Sequence, residues 1–329
     1  MKQKILKILS DSKDYVSGEK LSELCGISRT AIWKHINNLK DEGYEIHSQP
    51  RIGYRLIKRP DALLKTEILA GLHTSKWGKE FLYTFEEVDS TNNLAKKFAA
   101  EGQPEGTVVV AEQQLQGKGR LGRTWISPKG KGIWVSVILR PNILPTKSPQ
   151  ITFVLAVGMI KALRKILPIK AKIKWPNDIL INKQKVAGIL TELSAEIERV
   201  NYIVFGIGVN VNQDKEEFPI EFRDKATSLK SVLGYEVSRV KVLQAMLEEI
   251  EISYNQYLEQ GFQIVLDEWK DNSLTLGQQV EVIMDNQKLE GQAVDVDQDG
   301  CLIVKDKNNC LHKIIAGDVS LRGHGGKYV

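Results

Sequence analysis

The stretch of sequence that decides the fold is GKGRLGRTWISPKGKGIWVSV, residues 117–137. Its first six residues fit the pattern G-x-G-x-x-G, which is typical of the loop that binds the pyrophosphate of a dinucleotide. That loop needs a helix directly after it, because the N-terminus of the helix faces the pyrophosphate. Here Pro128 and two more glycines follow instead, and GIWVSV then predicts a strand. The stretch therefore argues against a Rossmann dinucleotide-binding fold.

The same loop carries three cations, Lys118, Arg120 and Arg123. Its glycines allow backbone N–H groups to approach an anion, and arginine donates bidentate hydrogen bonds to phosphate. The loop is therefore a candidate phosphate-binding segment. A surface hairpin with solubilising charges would look the same, so other stretches must decide between the two. P-loop and protein-kinase motifs do not occur in the chain.

Toward the N-terminus, residues 1–64 predict a winged helix-turn-helix. Two short amphipathic helices lie before the turn CGIS (25–28), and the helix after it has apolar residues at i, i+4 and i+7. Residues 44–57 then alternate on both sides of a turn, which predicts a β-hairpin. The segment holds 12 basic against 8 acidic residues, a net charge of +4 that makes up most of the chain's +5. This charge favours an anionic partner.

The outer face of the third helix is the candidate DNA-reading surface, because a helix in this position of the motif enters the major groove. The candidate DNA-binding residues are Ser28, Arg29, Thr30, Trp33, Lys34 and Asn37 around this helix and Arg51 in the wing. The alternative interpretation is a small helical domain whose basic residues form only a solvated face.

The rest of the chain divides at two changes of pattern. A helical connector follows Pro60, and from about residue 80 strand patterns alternate with helical ones. Near residue 273 short alternating strands begin, which predict a small all-β, barrel-like domain. We therefore expect a multidomain α+β protein. Its predicted domains are a winged helix-turn-helix at 1–64, a mixed α/β domain at 65–272 and a small β-barrel at 273–329.

Composition limits the remaining possibilities. Hydrophobic residues make up 42% of the chain, enough for a sizeable core, and no apolar run reaches the ~18 residues that span a membrane. The first residues lack the apolar stretch of a signal peptide. Cys25, Cys301 and Cys310 have no metal-ligand spacing, and so sparse a set favours a reducing compartment. We therefore expect a cytoplasmic protein with no membrane partner and no recognisable metal site.

Five short motifs lie in order along the middle of the chain: DSTN (89–92), GKGRLGRTW (117–125), KWPND (174–178), KVAGIL (185–190) and GIGVN (206–210). None of them is specific alone. Together with the winged helix and the β-rich C-terminal segment, they closely resemble the bifunctional biotin–protein ligases that also act as repressors of biotin synthesis. The resemblance covers nearly the whole chain.

The resemblance implies an activity, cofactors and partners. Such enzymes use ATP and Mg²⁺ to convert biotin to biotinyl-5′-AMP. They then pass biotin to one lysine of a carrier, typically the biotin carboxyl carrier protein of acetyl-CoA carboxylase. The adenylate promotes a homodimer, which binds operator DNA upstream of biotin genes. A class II synthetase-like catalytic domain and an SH3-like C-terminal barrel are implied as well.

The resemblance also implies roles for individual residues. Lys185 and Arg120 would be catalytic, with Lys185 between the biotin carboxylate and the α-phosphate. The biotin-binding set would be Ser90, Thr91, Asn92, Gln114, Lys118, Gly119, Arg120 and Lys185. The ATP-binding set would be Arg120, Arg123, Trp125, Asn177, Lys185 and Asn210. Two positions depart from the family pattern: Lys118 stands where arginine is frequent, and Leu121 where a polar or basic residue is frequent.

Three other functions stay open. A lipoate–protein ligase has a similar core, but the DNA-binding segment and the loop motifs disfavour it. A biotin-sensing transcription factor without turnover is disfavoured by the retention of Lys185 and Asn177. The third is a ligase whose winged helix no longer regulates transcription. A turnover assay and a DNA-binding assay separate these possibilities.

Overall fold

Residues 1–284, 287–315 and 317–321 are described by the computed structural model, in which the chain divides into two units, residues 1–70 and 71–329. Each unit has buried hydrophobic residues of its own. Among the described helices, none has the length and apolar character that crossing a membrane requires.

The first unit is a winged helix-turn-helix, as the sequence predicts. Its elements are α1 (Lys2–Asp11), α2 (Gly18–Cys25), α3 (Arg29–Asp41), β1 (Glu45–Gln49), β2 (Gly53–Lys58) and α4 (Lys65–Ala70). Gly26 ends α2 in the left-handed conformation, and the Ser28 side chain accepts a hydrogen bond from the Ala31 N–H at the start of α3. The apolar stripe of α3 packs into the core of this unit, and β1 and β2 pair antiparallel as the wing.

The second unit is built on a seven-stranded mixed sheet. Its strands are β3 (Leu82–Val88), β4 (Val108–Gln114), β5 (Gly132–Leu139), β6 (Lys172–Lys174), β7 (Asp178–Ile181), β8 (Gln184–Ala195) and β9 (Val200–Asn210). They lie in the order β3-β4-β5-β9-β8-β7-β6. Only β3 and β4 are parallel, and the other neighbouring strands are antiparallel. This topology confirms the mixed α/β domain, and β7 is a short strand that the sequence pattern did not predict.

Five helices accompany this sheet: α5 (Thr91–Ala100), α6 (Ser148–Ile166), α7 (Leu229–Leu233), α8 (Arg239–Gln260) and α9 (Phe262–Asn272). α6 is buried along most of its length, which agrees with a sequence that is apolar nearly all round. The helical pattern of residues 236–270 corresponds to two helices, α8 and α9. Gly261 separates them, because its φ of 82° is one that a helix does not accommodate.

The glycine-rich stretch forms a closed loop between two strands. A single 3₁₀ turn spans Arg120–Gly122, and β5 begins at Gly132. The Gly119 N–H donates a hydrogen bond of 2.7 Å to the Arg123 carbonyl, which closes the loop at its base. The expectation that a strand rather than an α-helix follows this loop is confirmed.

The C-terminal part of the second unit contains a small antiparallel sheet. Its strands are β10 (Gln279–Met284), β11 (Gln287–Val296), β12 (Leu302–Lys305), β13 (Leu311–Ile314) and β14 (Asp318–Leu321). Within the described residues they lie in the order β13-β12-β11-β10-β14, which confirms a small all-β domain. The predicted domain also includes residues 322–329, which lie outside the described residues.

Candidate active site

A cavity of about 420 Å³ lies under the glycine-rich loop. Residues 118–123 line one side of it, and Leu190 and Glu192 of β8 line the other. The predicted Lys118, Gly119, Arg120 and Arg123 therefore share one cavity. A second cavity, of about 390 Å³, lies beside residues 140–144 and 198–201 and contains none of the predicted site residues. The loop cavity is accordingly the candidate site.

Glycines form a flat area of the sheet beside this cavity. Gly188 of β8 and Gly208 of β9 are cross-strand partners, and the Trp125 indole lies against both. A Cβ atom at Gly208 would lie 2.4 Å from Trp125 Nε1, and one at Gly188 would lie 2.9 Å from Cζ3. Any side chain at either position would therefore displace the indole. Trp125 Nε1 is buried and has no hydrogen-bond partner among the described residues.

Lys185 lies at the start of β8, next to the same indole. Its Nζ is 2.6 Å from Asp178 Oδ1 and 5.0 Å from the centroid of the Trp125 ring. The Lys185 backbone also pairs with a distant segment, because its N–H donates to the Lys225 carbonyl and its carbonyl accepts from the Thr227 N–H. Backbone and side chain together hold the ammonium close to the glycine-rich loop.

Asp178 is a site residue that sequence reasoning missed. It ends the KWPND motif and begins β7, and the β7–β8 hairpin returns the chain so that Asp178 pairs with Gly188. The hairpin places the Asp178 carboxylate within ion-pair distance of Lys185. A hairpin prediction for residues 178–190 would have found this contact, but the short β7 gave no clear signal.

Arg120 and Asn177 come from separate loops and meet at the site. Arg120 Nη1 donates a hydrogen bond of 3.2 Å to Asn177 Oδ1. The Asn177 side chain is mostly buried, and its Nδ2 donates to the Ile189 carbonyl at 2.6 Å. Because the amide nitrogen is anchored to the sheet, the amide oxygen is the end that Arg120 meets.

Asn210, at the end of β9, contacts the segment that pairs with the backbone of Lys185. Its Nδ2 donates a hydrogen bond of 3.1 Å to the Thr227 carbonyl, and Thr227 in turn pairs with Lys185. The buried Asn210 side chain therefore contacts the segment that fixes the start of β8. The Asn210 side chain is thus linked to the Lys185 backbone through Thr227, and not to the Lys185 ammonium.

The DSTN motif lies where β3 passes into α5. Ser90 precedes α5 in extended conformation and is buried, although its side chain makes no capping hydrogen bond. Gln114 Oε1 accepts from both the Thr91 N–H, at 2.8 Å, and the Thr91 hydroxyl, at 3.0 Å. Gln114 Nε2 donates to Ser127 Oγ at 2.9 Å. Thr91 and Gln114, predicted to bind one ligand, are therefore direct neighbours.

Asn92 is buried between two residues that sequence reasoning did not identify. Ser136 Oγ of β5 lies 2.6 Å from Asn92 Oδ1, and Asn92 Nδ2 donates to Glu192 Oε2 at 2.8 Å. Lys96 forms an ion pair with the other oxygen of Glu192. Burial raises the pKa of the Glu192 carboxyl, but the hydrogen bonds from Lys96 and Asn92 outweigh it and hold the pKa below its usual value.

Lys118 connects the glycine-rich loop to α5. Its Nζ donates a hydrogen bond of 2.7 Å to Asn93 Oδ1, and Asn93 Nδ2 donates to Asp89 Oδ2 at 2.6 Å. The hydrogen bond from Asn93, with a smaller contribution from the charge of Lys118, lowers the pKa of the Asp89 carboxyl. Lysine is thus sufficient for this contact, which needs a single donor and not the fork of arginine.

The candidate DNA-binding residues lie on α3 and the wing of the first unit. Arg29, Thr30 and Lys34 are exposed, Asn37 is half-buried, and Trp33 is 56% exposed despite its large apolar surface. Ser28 caps α3 through its side chain. Arg51 lies at the turn of the wing with a φ of 65°.

The carboxylate that the site offers to a divalent cation beside Lys185 is that of Asp178. No group of three or more His, Cys, Asp and Glu side chains arranged to hold an ion occurs in residues 1–284, 287–315 and 317–321. Mg²⁺ at nucleotide sites is bound by one or two carboxylates together with phosphate oxygens and water. Asp178 supplies one carboxylate beside Lys185, so the residues present fit an ion held mainly by phosphates.

Three family models match the chain. The biotin/lipoate A/B protein ligase family matches residues 84–210, an HTH domain matches residues 2–55, and the biotin protein ligase C terminal domain matches residues 275–322. Each match lies on a part of the chain that the sequence patterns also separate.

The similarity to known proteins extends over most of the chain, as two curated proteins and one solved structure illustrate. The bifunctional ligase/repressor BirA of Bacillus subtilis (strain 168) is 40% identical and the alignment covers 98% of both chains. The protein of the same name from Escherichia coli (strain K12) is 28% identical, over 97% of this chain and 96% of that one. The biotin protein ligase from Aquifex aeolicus, solved with biotin and ATP, aligns with a TM-score of 0.64 at 32% identity. That alignment covers 74% of this chain and 99% of the other.

Proposed function

The chain belongs to the family of bifunctional biotin–protein ligases and repressors, and we infer that it couples biotin to a carrier protein with ATP and represses biotin genes. The observation that carries the ligase activity is that the cationic loop reaches two other segments of the chain. Its Arg120 hydrogen-bonds to Asn177, and its Trp125 lies against Lys185, which pairs with the Asp178 carboxylate. Such a site suits two anions that must react with each other.

The first step joins a carboxylate to a phosphate. A biotin carboxylate oxygen attacks the α-phosphorus of ATP, the bond to the β-phosphate oxygen breaks, and biotinyl-5′-AMP and pyrophosphate form. Two unit charges 4 Å apart repel by about 4 kcal/mol at an effective dielectric constant near 20. Cationic donors held between the two anions offset this repulsion and stabilise the charge that builds on phosphorus. Lys185 and Arg120 are the residues to which we assign this role.

The second step needs no nucleophile from the enzyme. A carrier lysine, as the free amine, attacks the acyl carbon of the adenylate, AMP leaves, and the amine loses a proton as the amide forms. The glycine-rich loop lies over the cavity and shields a mixed anhydride from water in the meantime. We assign the carrier as the biotin carboxyl carrier protein of acetyl-CoA carboxylase.

At one end of the site we place the polar ureido ring of biotin. Ser90, Thr91, Asn92 and Gln114 supply the hydroxyl and amide groups there, while Lys118 and Gly119 close the cavity beside them. A buried hydrogen-bonding set of this kind is selective, because an analogue without the matching groups leaves it unpaired.

At the other end we place the nucleotide. Arg123 and Asn177 bind the phosphates. The Trp125 indole, which lies on Gly188 and Gly208 of the sheet, packs against the adenine. Asn210 holds the segment at Thr227 in place. The unpartnered Trp125 Nε1 supports a ligand at this position, since a buried N–H without an acceptor is costly. When bound, Mg²⁺ would neutralise phosphate charge and help pyrophosphate leave.

The winged helix-turn-helix is the DNA-binding part of the function. We propose that Ser28, Arg29, Thr30, Trp33, Lys34, Asn37 and Arg51 contact operator DNA, and that biotinyl-5′-AMP promotes a homodimer with two such surfaces. Exposed cations and an exposed tryptophan on α3 support this assignment. A cytoplasmic location, supported by the unpaired Cys25, Cys301 and Cys310, and the domain bounds 1–64, 65–272 and 273–329 are part of the same proposal.

The ligase activity is tested by mixing the full-length protein with ATP, Mg²⁺, biotin and a carrier domain, and measuring the carrier by mass spectrometry. We expect a carrier heavier by one biotin, and only when ATP and biotin are both present. An unchanged carrier mass, together with no biotin-dependent pyrophosphate release, would contradict the proposal.

Regulation is tested by a gel-shift titration of operator DNA with and without biotin plus ATP, with sedimentation of the same samples. We expect tighter DNA binding and a dimer when both ligands are present. Equal DNA binding in both conditions would instead identify a ligase whose winged helix does not respond to the adenylate.

A further inference from the structure

Ser136 is a buried polar residue of the site that the reaction itself does not use. It lies in the middle of β5 and has no exposed surface. The strand around it is otherwise apolar, GIWVSVIL, so a hydroxyl at this position needs a partner. Its Oγ lies 2.7 Å from Thr91 Oγ1 and 2.6 Å from Asn92 Oδ1.

The sheet makes room for this contact. Ser136 on β5 is the cross-strand partner of Gly206 on β9, and the Asn92 amide lies over this pair. A Cβ atom at Gly206 would lie only 2.1 Å from Asn92 Oδ1. Because Gly206 has no side chain, the Asn92 amide packs directly against the sheet, within hydrogen-bond distance of the Ser136 hydroxyl.

The direction of each hydrogen bond follows from Glu192. An ionised carboxylate only accepts hydrogen bonds, so the Asn92 end facing Glu192 must be the amide nitrogen. The amide oxygen then faces Ser136 and can only accept. The single Ser136 proton is thereby committed to Asn92, and the Thr91 hydroxyl is left to donate to Ser136 or to Gln114.

We propose that Ser136 is a positioning residue that fixes the orientation of Asn92 and Thr91 and so sets the affinity of the site for biotin without touching it. The proposal rests on the proposed function, in which these two residues meet the ureido ring. With Ser136 in place, the Asn92 and Gln114 amides each donate one N–H hydrogen to the protein, to Glu192 and to Ser127, and each keeps a second one. Unused donors suit the carbonyl oxygen of a cyclic urea.

The test compares the full-length protein with Ser136→Ala, using biotin-dependent pyrophosphate release as the assay. The variant keeps the shape of the strand but leaves Asn92 Oδ1 buried without a donor. Because the Asn92 amide loses the donor that orients it, we expect the KM for biotin to rise about tenfold, which corresponds to about 1.4 kcal/mol. The KM for ATP and kcat should stay within about twofold of the wild-type values.

A matched control is Thr107→Val. Thr107 is also fully buried and donates from its hydroxyl to the Pro104 carbonyl, but it lies at the opposite end of β4 from Gln114. This variant should lose stability without a change in the KM for biotin. Equal rises in the KM for biotin in both variants would show a general structural effect and overturn the proposal.

Two further variants keep the proposal testable if Ser136→Ala folds poorly. Gly206→Ala pushes the Asn92 amide off the sheet and should raise the KM for biotin while leaving the KM for ATP within about twofold. In the Asn92→Ala background, Ser136→Ala should add little, because the acceptor of the Ser136 proton is already gone. Additive effects in this double-mutant cycle would contradict a role through Asn92.

Separate results test the ligase activity and the role of Ser136. If the wild-type protein releases no pyrophosphate in response to biotin, the proposed function is wrong. If the wild-type protein is active and the KM of Ser136→Ala for biotin is within about twofold of it, only the role of Ser136 is wrong.

Discussion

Lys185 is the side chain on which the proposed chemistry depends most. Its ammonium lies between the Asp178 carboxylate and the face of Trp125, beside the glycine-rich loop. The aspartate holds the ammonium in place, and the phosphates compete for the same charge when they arrive. A residue that bridges two reacting anions acts mainly in the transition state, where the negative charge is most concentrated.

We therefore expect Lys185→Ala to keep its fold and to lose adenylation by roughly 100-fold or more. The measurement is biotin-dependent pyrophosphate release at saturating biotin and ATP, with circular dichroism to verify the fold. Lys97→Ala serves as the control, because Lys97 is an exposed lysine of α5. Near-normal release from Lys185→Ala would rule out the catalytic assignment.

Glu192 gives a prediction for the pH dependence of stability. Its folded-state pKa lies below the usual 4.5, mainly because the hydrogen bonds from Lys96 and Asn92 outweigh the effect of burial. A carboxyl with a lowered pKa stabilises the fold above its unfolded-state pKa, and this contribution is lost as the pH falls through the folded-state pKa.

The free energy of unfolding of the wild-type protein should accordingly exceed that of Glu192→Gln at neutral pH. The difference should shrink as the pH falls below about 4.5, because the carboxyl then takes up a proton, first in the unfolded chain and at lower pH in the folded protein. Urea unfolding at a series of pH values, from about 7 down to about 3.5, measures it. A difference that is the same at both ends of this range would show that the charge of Glu192 contributes nothing.

At the scale of elements, the β8–β9 pair is the platform of the site. Its register sets Gly188 opposite Gly208, so two neighbouring positions on the sheet have no side chain. Trp125, which enters from the loop before β5, fills the space that results. One antiparallel register therefore determines where an aromatic ring from a distant loop can lie.

Gly208→Ala tests this platform. The backbone of Gly208 has no left-handed φ, so alanine is tolerated by the main chain, but its Cβ would collide with the indole. We expect kcat/KM for ATP to fall roughly 10- to 100-fold, because small displacements of positioning groups are costly. The KM for biotin should change less.

Gly71→Ala is the matched control for this variant. Its Cβ would meet only the flexible end of the Gln244 side chain, away from the site. Equal losses of kcat/KM for ATP in the two variants would mean that glycine at 208 serves folding and not the position of Trp125.

At the scale of the whole molecule, DNA binding and ligation belong to separate units. The first unit has its own core, and the exposed cations that we assign to DNA contact lie on α3 and the wing. The proposed ligase residues all belong to the second unit. Changes confined to the surface of α3 should therefore leave the chemistry intact.

We expect the double variant Arg29→Ala, Lys34→Ala to biotinylate a carrier at the wild-type rate and to bind DNA more weakly. The probe is a duplex selected from a random library by the wild-type protein in the presence of biotin and ATP. The slope of log affinity against log salt should fall by about 1 for each phosphate that the variant no longer binds. An unchanged slope would show that Arg29 and Lys34 do not contact DNA phosphates.

Lys4→Ala, Lys7→Ala removes two exposed cations from α1 of the same unit and is the control. It changes the net charge by the same amount. If it weakened DNA binding as much as the α3 variant, the effect would be one of total charge and not of a particular surface.

Much of the fold and part of the site follow from local sequence. The strand after the glycine-rich loop and the buried stripe of α3 are set by neighbouring residues, and the structure has them as predicted. The motifs that carry Lys185, Arg120 and Asn177 are contiguous as well, so they stand out before any folding is considered. Sequence by itself also determined the order of the three kinds of domain.

Only the tertiary structure decided which residues meet across the sheet. The β7–β8 hairpin brings the Asp178 carboxylate to Lys185. Ser136 of β5 contacts Asn92 beside Gly206 of the neighbouring strand. Glu192 of β8 accepts a hydrogen bond from the same asparagine. These contacts depend on strand register, and a slip of one residue would turn every side chain of a strand to the other face. Register is set by the packing of the whole sheet, and so it cannot be read from any one stretch of the chain.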